Sequence, residues 1–113
     1  MAEISKETIE EILELMGRLS ILIDRASSTE LSIFNTYGET DEMIYVLEQL
    51  QNTRDRGISA YSRLSTLLLK VSEVQSSAPV AMVEMLVQAI EQAEATIDAG
   101  EATVKEARND WSI

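Results

Sequence analysis

The fold is decided by residues 79–111, which read PVAMVEMLVQAIEQAEATIDAGEATVKEARNDW. An apolar residue returns every seven positions in this stretch, at Val83, Ile90, Ile97, Val104 and Trp111, with Leu86, Val87 and Ala93 between them. A sustained seven-residue repeat is typical of helices that pack along their length at a shallow crossing angle. Pro79 is favoured at the first position of a helix and disfavours helix at the residue before it. The stretch therefore predicts a helix over 79–108 that lies lengthwise against other helices.

The rest of the chain repeats apolar residues at spacings of three and four, which is the helical period. Ser5 is a favourable N-cap for a first helix over 5–34, and Thr40 for a second helix over 40–76. Gly38 lies between them, where glycine suits a turn. At about 1.5 Å per residue, helices of this length are too long for a compact globule. We therefore predict an all-α fold: an elongated up-down-up bundle of three long antiparallel helices, forming a single domain over 1–113.

The second helix has one interruption of its apolar pattern, where Arg54 and Gly57 lie. The helix either continues with a polar layer or breaks near Gly57, and we favour continuity because one internal glycine costs only about 1 kcal/mol. Arg54 then projects onto the centre of the apolar stripe, as Glu101 does on the third helix. A turn near residue 77 would bring Arg54 and Glu101 to the same level, where an ion pair would set the register of the two helices. In the alternative, both side chains reach solvent at the rim.

The first helix is apolar over about half of its circumference, which is wider than a single coiled-coil seam. We expect it to contact at least two neighbours, and its apolar surplus favours self-association with two-fold symmetry. Its apolar residues are Ile4, Ile9, Ile12, Leu13, Leu15, Met16, Leu19, Leu22, Ile23 and Ala26.

Composition argues against several classes of function. The chain has 20 Asp and Glu against 9 Lys and Arg, a formal net charge of −11, and neither histidine nor cysteine. Nucleic acids and anionic membranes attract basic surfaces, so neither is an expected partner. Zinc, haem and iron–sulfur sites and catalytic triads use the missing residue types, so no cofactor is expected. The N-terminus lacks a signal-peptide pattern, and with cysteine absent we expect a cytoplasmic protein.

Paired carboxylates raise the question of a metal-dependent enzyme. The pattern Glu-x-x-Glu occurs at 11–14 and at 39–42, and the acidic residues involved or nearby are Glu7, Glu10, Glu11, Glu14, Glu39 and Glu42. Such pairs could hold Mg²⁺ for a pyrophosphatase-like nucleotide hydrolase if oxygens from several elements converged. Glu7, Glu11 and Glu14 instead project opposite the apolar stripe. We therefore expect a solvated face and no metal site.

Two surfaces are candidates for protein binding. Small residues on the back of the third helix would let another helix approach closely, which makes a possible dimer face of Ala81, Ala95, Ala99 and Ala102. In the alternative, alanine is there because it is the best helix former. The aromatic residues would meet at one pole of an up-down-up bundle, as a possible partner patch or as a plug of the core. They are Phe34, Tyr37, Tyr45 and Trp111.

The sequence thus favours a non-enzymatic, acidic helical interaction module, such as an adaptor, a regulator or an assembly subunit. It would act through contacts between helix faces, with an unidentified protein partner or with a second copy as a homodimer. Two alternatives stay open. One is the Mg²⁺-dependent nucleotide hydrolase, and the other is an acidic decoy that occupies the basic groove of another protein.

Overall fold

The computed structural model describes residues 4–74 and 78–112. Three helices follow one another: α1 covers Lys6–Tyr37, α2 covers Asp41–Val74 and α3 covers Val80–Asp110. They form a rod of 55 × 20 × 17 Å. Each helix contacts both others, α1 with α2 most extensively and α1 with α3 least. The elongated three-helix bundle predicted from the sequence is confirmed.

The ends of the helices lie close to their predicted positions. Ser5 caps α1, and its Oγ accepts a hydrogen bond from the N–H of Thr8 at 3.1 Å. Gly38 ends α1 with a φ of 75°, which glycine adopts without strain, and donates its N–H to the carbonyl of Phe34 at 2.8 Å. Pro79 is the N-cap of α3 rather than its first helical residue. The predicted end of the second helix, at residue 76, lies outside the described residues.

The core is a seam of buried residues that runs along all three helices. Within each helix these residues alternate steps of three and four, with Ala89 as an addition on α3. Such positions stay on one side of a helix over its whole length. The seam consists of Ile12, Leu15, Leu19, Leu22, Ala26, Thr29 and Ile33 on α1; Met43, Val46, Leu50, Thr53, Gly57, Ala60, Leu64, Leu67 and Val71 on α2; and Leu86, Ala89, Ile90, Ala93, Ile97, Gly100, Val104 and Ala107 on α3.

Helix α2 passes through Gly57 without a break, as predicted. Both Gly57 and Gly100 are buried in the seam, where α2 and α3 approach α1 closely. A Cβ at Gly57 would lie 2.9 Å from Cγ1 of Ile23, and a Cβ at Gly100 would lie 2.7 Å from Cδ2 of Leu22. Glycine at these two positions therefore lets both neighbours pack against the middle of α1.

The predicted ion pair between Arg54 and Glu101 is wrong. Nη1 of Arg54 lies 3.0 Å from Oε2 of Glu30, and Oε1 of Glu101 lies 3.3 Å from Nη2 of Arg18. Both of these partners belong to α1. The physical reason is the rotation of α2 and α3, whose seams pass through the residue just before Arg54 and the residue just before Glu101. Those two seam residues are a threonine and a glycine, which an apolar pattern does not mark as buried.

Candidate interaction surface

One side of α1 faces α2, and several contacts define it. Ile23 lies against Gly57, and Glu30 is paired with Arg54. Positions three, four and seven residues apart share a side of a helix, so the residues that directly follow the seam positions lie on the same side as these contacts. The α1/α2 face comprises Leu13, Met16, Ser20, Ile23, Ser27, Glu30 and Phe34 on α1, and Ile44, Leu47, Gln51, Arg54, Ile58, Tyr61, Ser65 and Leu68 on α2.

The α1/α2 face is mostly apolar and carries no unbalanced charge. Leu13, Phe34 and Ile58 are 54%, 47% and 46% exposed. Its two charged residues, Glu30 and Arg54, are half-buried and pair with each other at 3.0 Å. Single exposed apolar residues are common on protein surfaces, but a contiguous apolar patch marks an interaction site. In a chain with a net charge of −11, this face therefore combines an apolar surface with balanced charge. Exposed apolar residues also lie elsewhere, among them Ile21, Leu69 and Met85.

A groove of about 430 Å³ opens within this face, between α1 and α2. Its apolar walls are Leu31, Phe34 and Leu47, and Ser27 and the Glu30–Arg54 pair also line it. Leu31 is 60% exposed, so the groove presents free apolar surface to solvent. We refer to it as the Phe34 groove. Apolar walls beside a small number of polar groups are typical of binding sites.

The four aromatic residues of the predicted partner patch do not form one cluster. Tyr37 and Trp111 meet edge to face with ring centroids 5.3 Å apart, and the hydroxyl of Tyr37 donates to the carbonyl of Trp111 at 2.8 Å. Phe34 lines the Phe34 groove instead. Tyr45 is 68% exposed, and its hydroxyl accepts a hydrogen bond from Nε2 of Gln49 at 2.7 Å. Tyr37 and Trp111 thus connect the end of α1 with the end of α3. Phe34 and Tyr45 lie apart from this contact.

The alanines of the predicted dimer face, Ala81, Ala95, Ala99 and Ala102, are all exposed on α3. Ala95 and Ala99 also line a groove of about 240 Å³ against α2, together with Thr96 and Arg56. This groove is smaller than the Phe34 groove, and more of its lining residues are polar. The role of the alanines as a dimer face stays a prediction.

The other side of α1 faces α3 and is charged. Arg25 of α1 and Lys105 and Arg108 of α3 line a groove of about 370 Å³. Arg18 precedes Arg25 by one seven-residue repeat and pairs with Glu101. Sequence reasoning missed this group of cations, although the seven-residue spacing of the two arginines on α1 is a signal for it.

The carboxylates considered for a metal site are all exposed: Glu7, Glu10, Glu11, Glu14, Glu39 and Glu42. In the described part of the chain, no three acidic side chains come close enough together to share a metal ion. Over residues 4–74 and 78–112, none of the helices has an apolar stretch that could cross a bilayer.

Of the three grooves described above, the Phe34 groove has the largest share of apolar lining residues. Neither family models, nor curated protein sequences, nor solved structures give any match to this chain.

Proposed function

We propose that this protein is a non-enzymatic helical interaction module that binds another protein through the α1/α2 face. It works as an adaptor, a regulator or an assembly subunit. We place it in the cytoplasm because proteins of that compartment do not depend on disulfides, and this chain has no cysteine to form one. The observation that carries the proposal is a chemical contrast. Over residues 13–34 of α1 and 44–68 of α2, a chain with 20 acidic residues keeps one side of two helices free of unbalanced charge.

The contrast is informative because a charged side chain at an exposed position costs the fold little free energy. An apolar side chain that stays exposed to water contributes little to stability. Helix surfaces that only face water carry charged and polar residues. Leu13 and Phe34 on the α1/α2 face, and Leu31 at its edge, occupy positions that the core does not need, since the seam is filled without them. A partner surface that covers these residues would gain about 25 cal/mol for each Å² of apolar area removed from water.

The Phe34 groove is the centre of the proposed contact. Binding energy at protein interfaces concentrates on a few anchors that fill pockets, and such anchors are surrounded by contacts of small energetic value. Leu31, Phe34 and Leu47 offer a receptor for an apolar anchor of a partner. Self-association, which the wide apolar stripe of α1 predicts, is one way of covering the same face.

Site-specific photo-crosslinking tests the proposal in the cells that make the protein. A photoreactive phenylalanine analogue replaces Phe34 in one variant and Tyr45 in a control variant. Both residues are exposed aromatics, but only Phe34 lies on the α1/α2 face. We expect a discrete crosslinked product from position 34 and none, or a different and weaker set, from position 45.

The mass of the product identifies the class of partner. A product of twice 12.6 kDa would show a second copy of the chain, and any other mass a different protein. The same products from both positions, or none from either, would contradict the proposal.

A further inference from the structure

We infer that the occupant of the Phe34 groove is an amphipathic helix of another protein, with an apolar stripe flanked by lysine and arginine. The inference rests on the proposed function and names the partner class of the same face. Two observations carry it. One is the shape of the face, and the other is the charge along its two edges.

The shape fits a helix. The face runs along two helices that lie side by side, and the Phe34 groove opens at one end of it. Phe34 and Leu13 on α1 are 21 residues apart, which corresponds to about 30 Å at the helical rise. A partner helix of about 20 residues covers this length. Helices bind such grooves with apolar anchors at spacings of three, four and seven residues.

The charge along the edges is of one sign. Each helix has an outer line of residues farthest from its seam, and these two lines border the α1/α2 face. They consist of Glu10, Gly17, Asp24 and Leu31 on α1, and of Asp41, Glu48, Asp55, Ser62 and Leu69 on α2, all of them exposed. Five of the nine are acidic and none is basic.

Near the Phe34 groove the outer line of α2 carries two acidic residues. Glu48 and Asp55 directly follow Leu47 and Arg54, which line the groove, so a rotation of about 100° per residue places them at its outer edge. On α1, Asp24 precedes Leu31 by one repeat and shares its line. Across the described residues, none of these three acids belongs to an ion pair. A helix seated in the groove would place its flanking positions beside these carboxylates.

The same edges disfavour a second copy as the occupant. Two α1/α2 faces packed against each other would bring acidic outer lines together, with no basic residue on either to balance them. Like charges brought together across an interface are unfavourable and select against the wrong partner. Lysine and arginine on the flanks of a helix from another protein would make the electrostatic interaction with these acidic lines favourable.

Two synthetic peptides of about 20 residues serve as probes. They share one helical stripe of leucines at spacings of three and four, and differ only at the flanking positions, which are lysine in one and glutamine in the other. Fluorescence anisotropy measures the affinity of each peptide for the full chain. We expect the lysine peptide to bind at least about tenfold more tightly, with an advantage that shrinks as salt screens the charges.

Two pairs of variants separate the groove and its edge from general attraction to an acidic protein. Leu31→Ser with Phe34→Ser should lower the affinity for the lysine peptide about tenfold or more, whereas Ile21→Ser with Tyr45→Ser should not. Neutralising Asp24, Glu48 and Asp55 to their amides should remove most of the advantage of lysine over glutamine. Neutralising the exposed α3 residues Glu91, Glu94 and Asp98 makes the same change of net charge and should leave that advantage in place.

Four results would overturn the inference. Equal effects of the two neutralised triples would show attraction by net charge alone, and equal effects of the two serine pairs would place the peptide elsewhere. A homodimer that Leu31→Ser with Phe34→Ser dissociates would identify a second copy as the occupant, and the proposed function would then survive. Absence of peptide binding together with absence of a crosslink at position 34 would remove both proposals.

Discussion

Helix α1 presents two different sides to its two neighbours. Toward α2 it places Met16 and Ile23, which are half-buried, and toward α3 it places Arg18 and Arg25, which are exposed. The first side belongs to the most extensive helix–helix contact of the bundle and the second to the least extensive one. The two sides flank the same seam, so the difference lies in the residues beside the seam and not in the seam itself.

The comparison explains why α1 is apolar over half of its circumference. The seam accounts for part of that width, and the side toward α2 accounts for the rest. Close packing on α2 covers Ile23 but leaves Leu13 and Phe34 open. The wide stripe therefore reports both a close contact within the chain and the surface that we propose as a binding site.

Truncating one isoleucine on each side of α1 tests the comparison most strongly. Ile23→Ala removes a half-buried side chain that lies against Gly57, and we expect the free energy of unfolding to fall by about 2 kcal/mol. Ile21→Ala, two residues away, removes a side chain that is 61% exposed and borders the groove toward α3. Its effect should stay within about 0.5 kcal/mol. Urea unfolding followed by circular dichroism measures both, and equal losses would mean that the two sides are packed alike.

Much of this fold is predictable from the sequence. Long helices are recognised by apolar residues at spacings of three and four and by the capping and turn residues at their ends. The three helices, the cap at Ser5, the turn at Gly38 and the continuity of α2 all follow from local patterns. The rotation of α2 and α3 about their axes does not. Thr53, Gly57 and Gly100 hold seam positions, and their burial depends on how closely α1 approaches them, which apolar spacing does not encode.

That error in rotation also explains the error in the ion pair. An apolar pattern does not mark Thr53 and Gly100 as buried. It therefore assigns their places in the seam to the next residues along the chain, Arg54 and Glu101. The site shows the same limit. The surplus of apolar residues on α1 is visible in the sequence, but which of them the neighbouring helix covers is a tertiary fact. Proximity in the chain therefore groups Phe34 with Tyr37, although Phe34 lines the groove toward Leu47.

Replacing a glycine by alanine at two positions tests the contact between α1 and α3, with a smaller expected effect than that of Ile23→Ala. A Cβ at Gly100 would lie 2.7 Å from Cδ2 of Leu22 and 3.0 Å from Cγ2 of Thr53, and both side chains are buried. Crowding of this kind costs about 1–3 kcal/mol, and the middle of that range exceeds the gain of about 1 kcal/mol from replacing glycine by alanine in a helix. We expect Gly100→Ala to lower the free energy of unfolding by about 1 kcal/mol.

Gly17 on α1 is the matched control. A Cβ there has no atom within 4 Å, so only the gain in helix propensity remains, and Gly17→Ala should raise the free energy of unfolding by about 0.5–1 kcal/mol. Thermal unfolding of the two variants should move the midpoint in opposite directions. A rise for both would show that α3 withdraws from α1 at little cost, and that the contact at Gly100 is loose.

The smallest effect concerns the two ion pairs, one on each side of α1. Arg54 and Glu30 are about 28–29% exposed, whereas Arg18 and Glu101 are 44% and 58% exposed, so water screens the second pair more fully. Arg54→Gln leaves the half-buried carboxylate of Glu30 without its cation, and we expect a loss of about 0.5–1 kcal/mol. Glu101→Gln should cost less than about 0.3 kcal/mol, since Arg18 stays solvated. Chemical unfolding in urea, repeated at high salt, measures both changes. If Glu101→Gln proved the costlier substitution, the charged side of α1 would hold the bundle together more than its apolar side does, contrary to the order of packing seen in the structure.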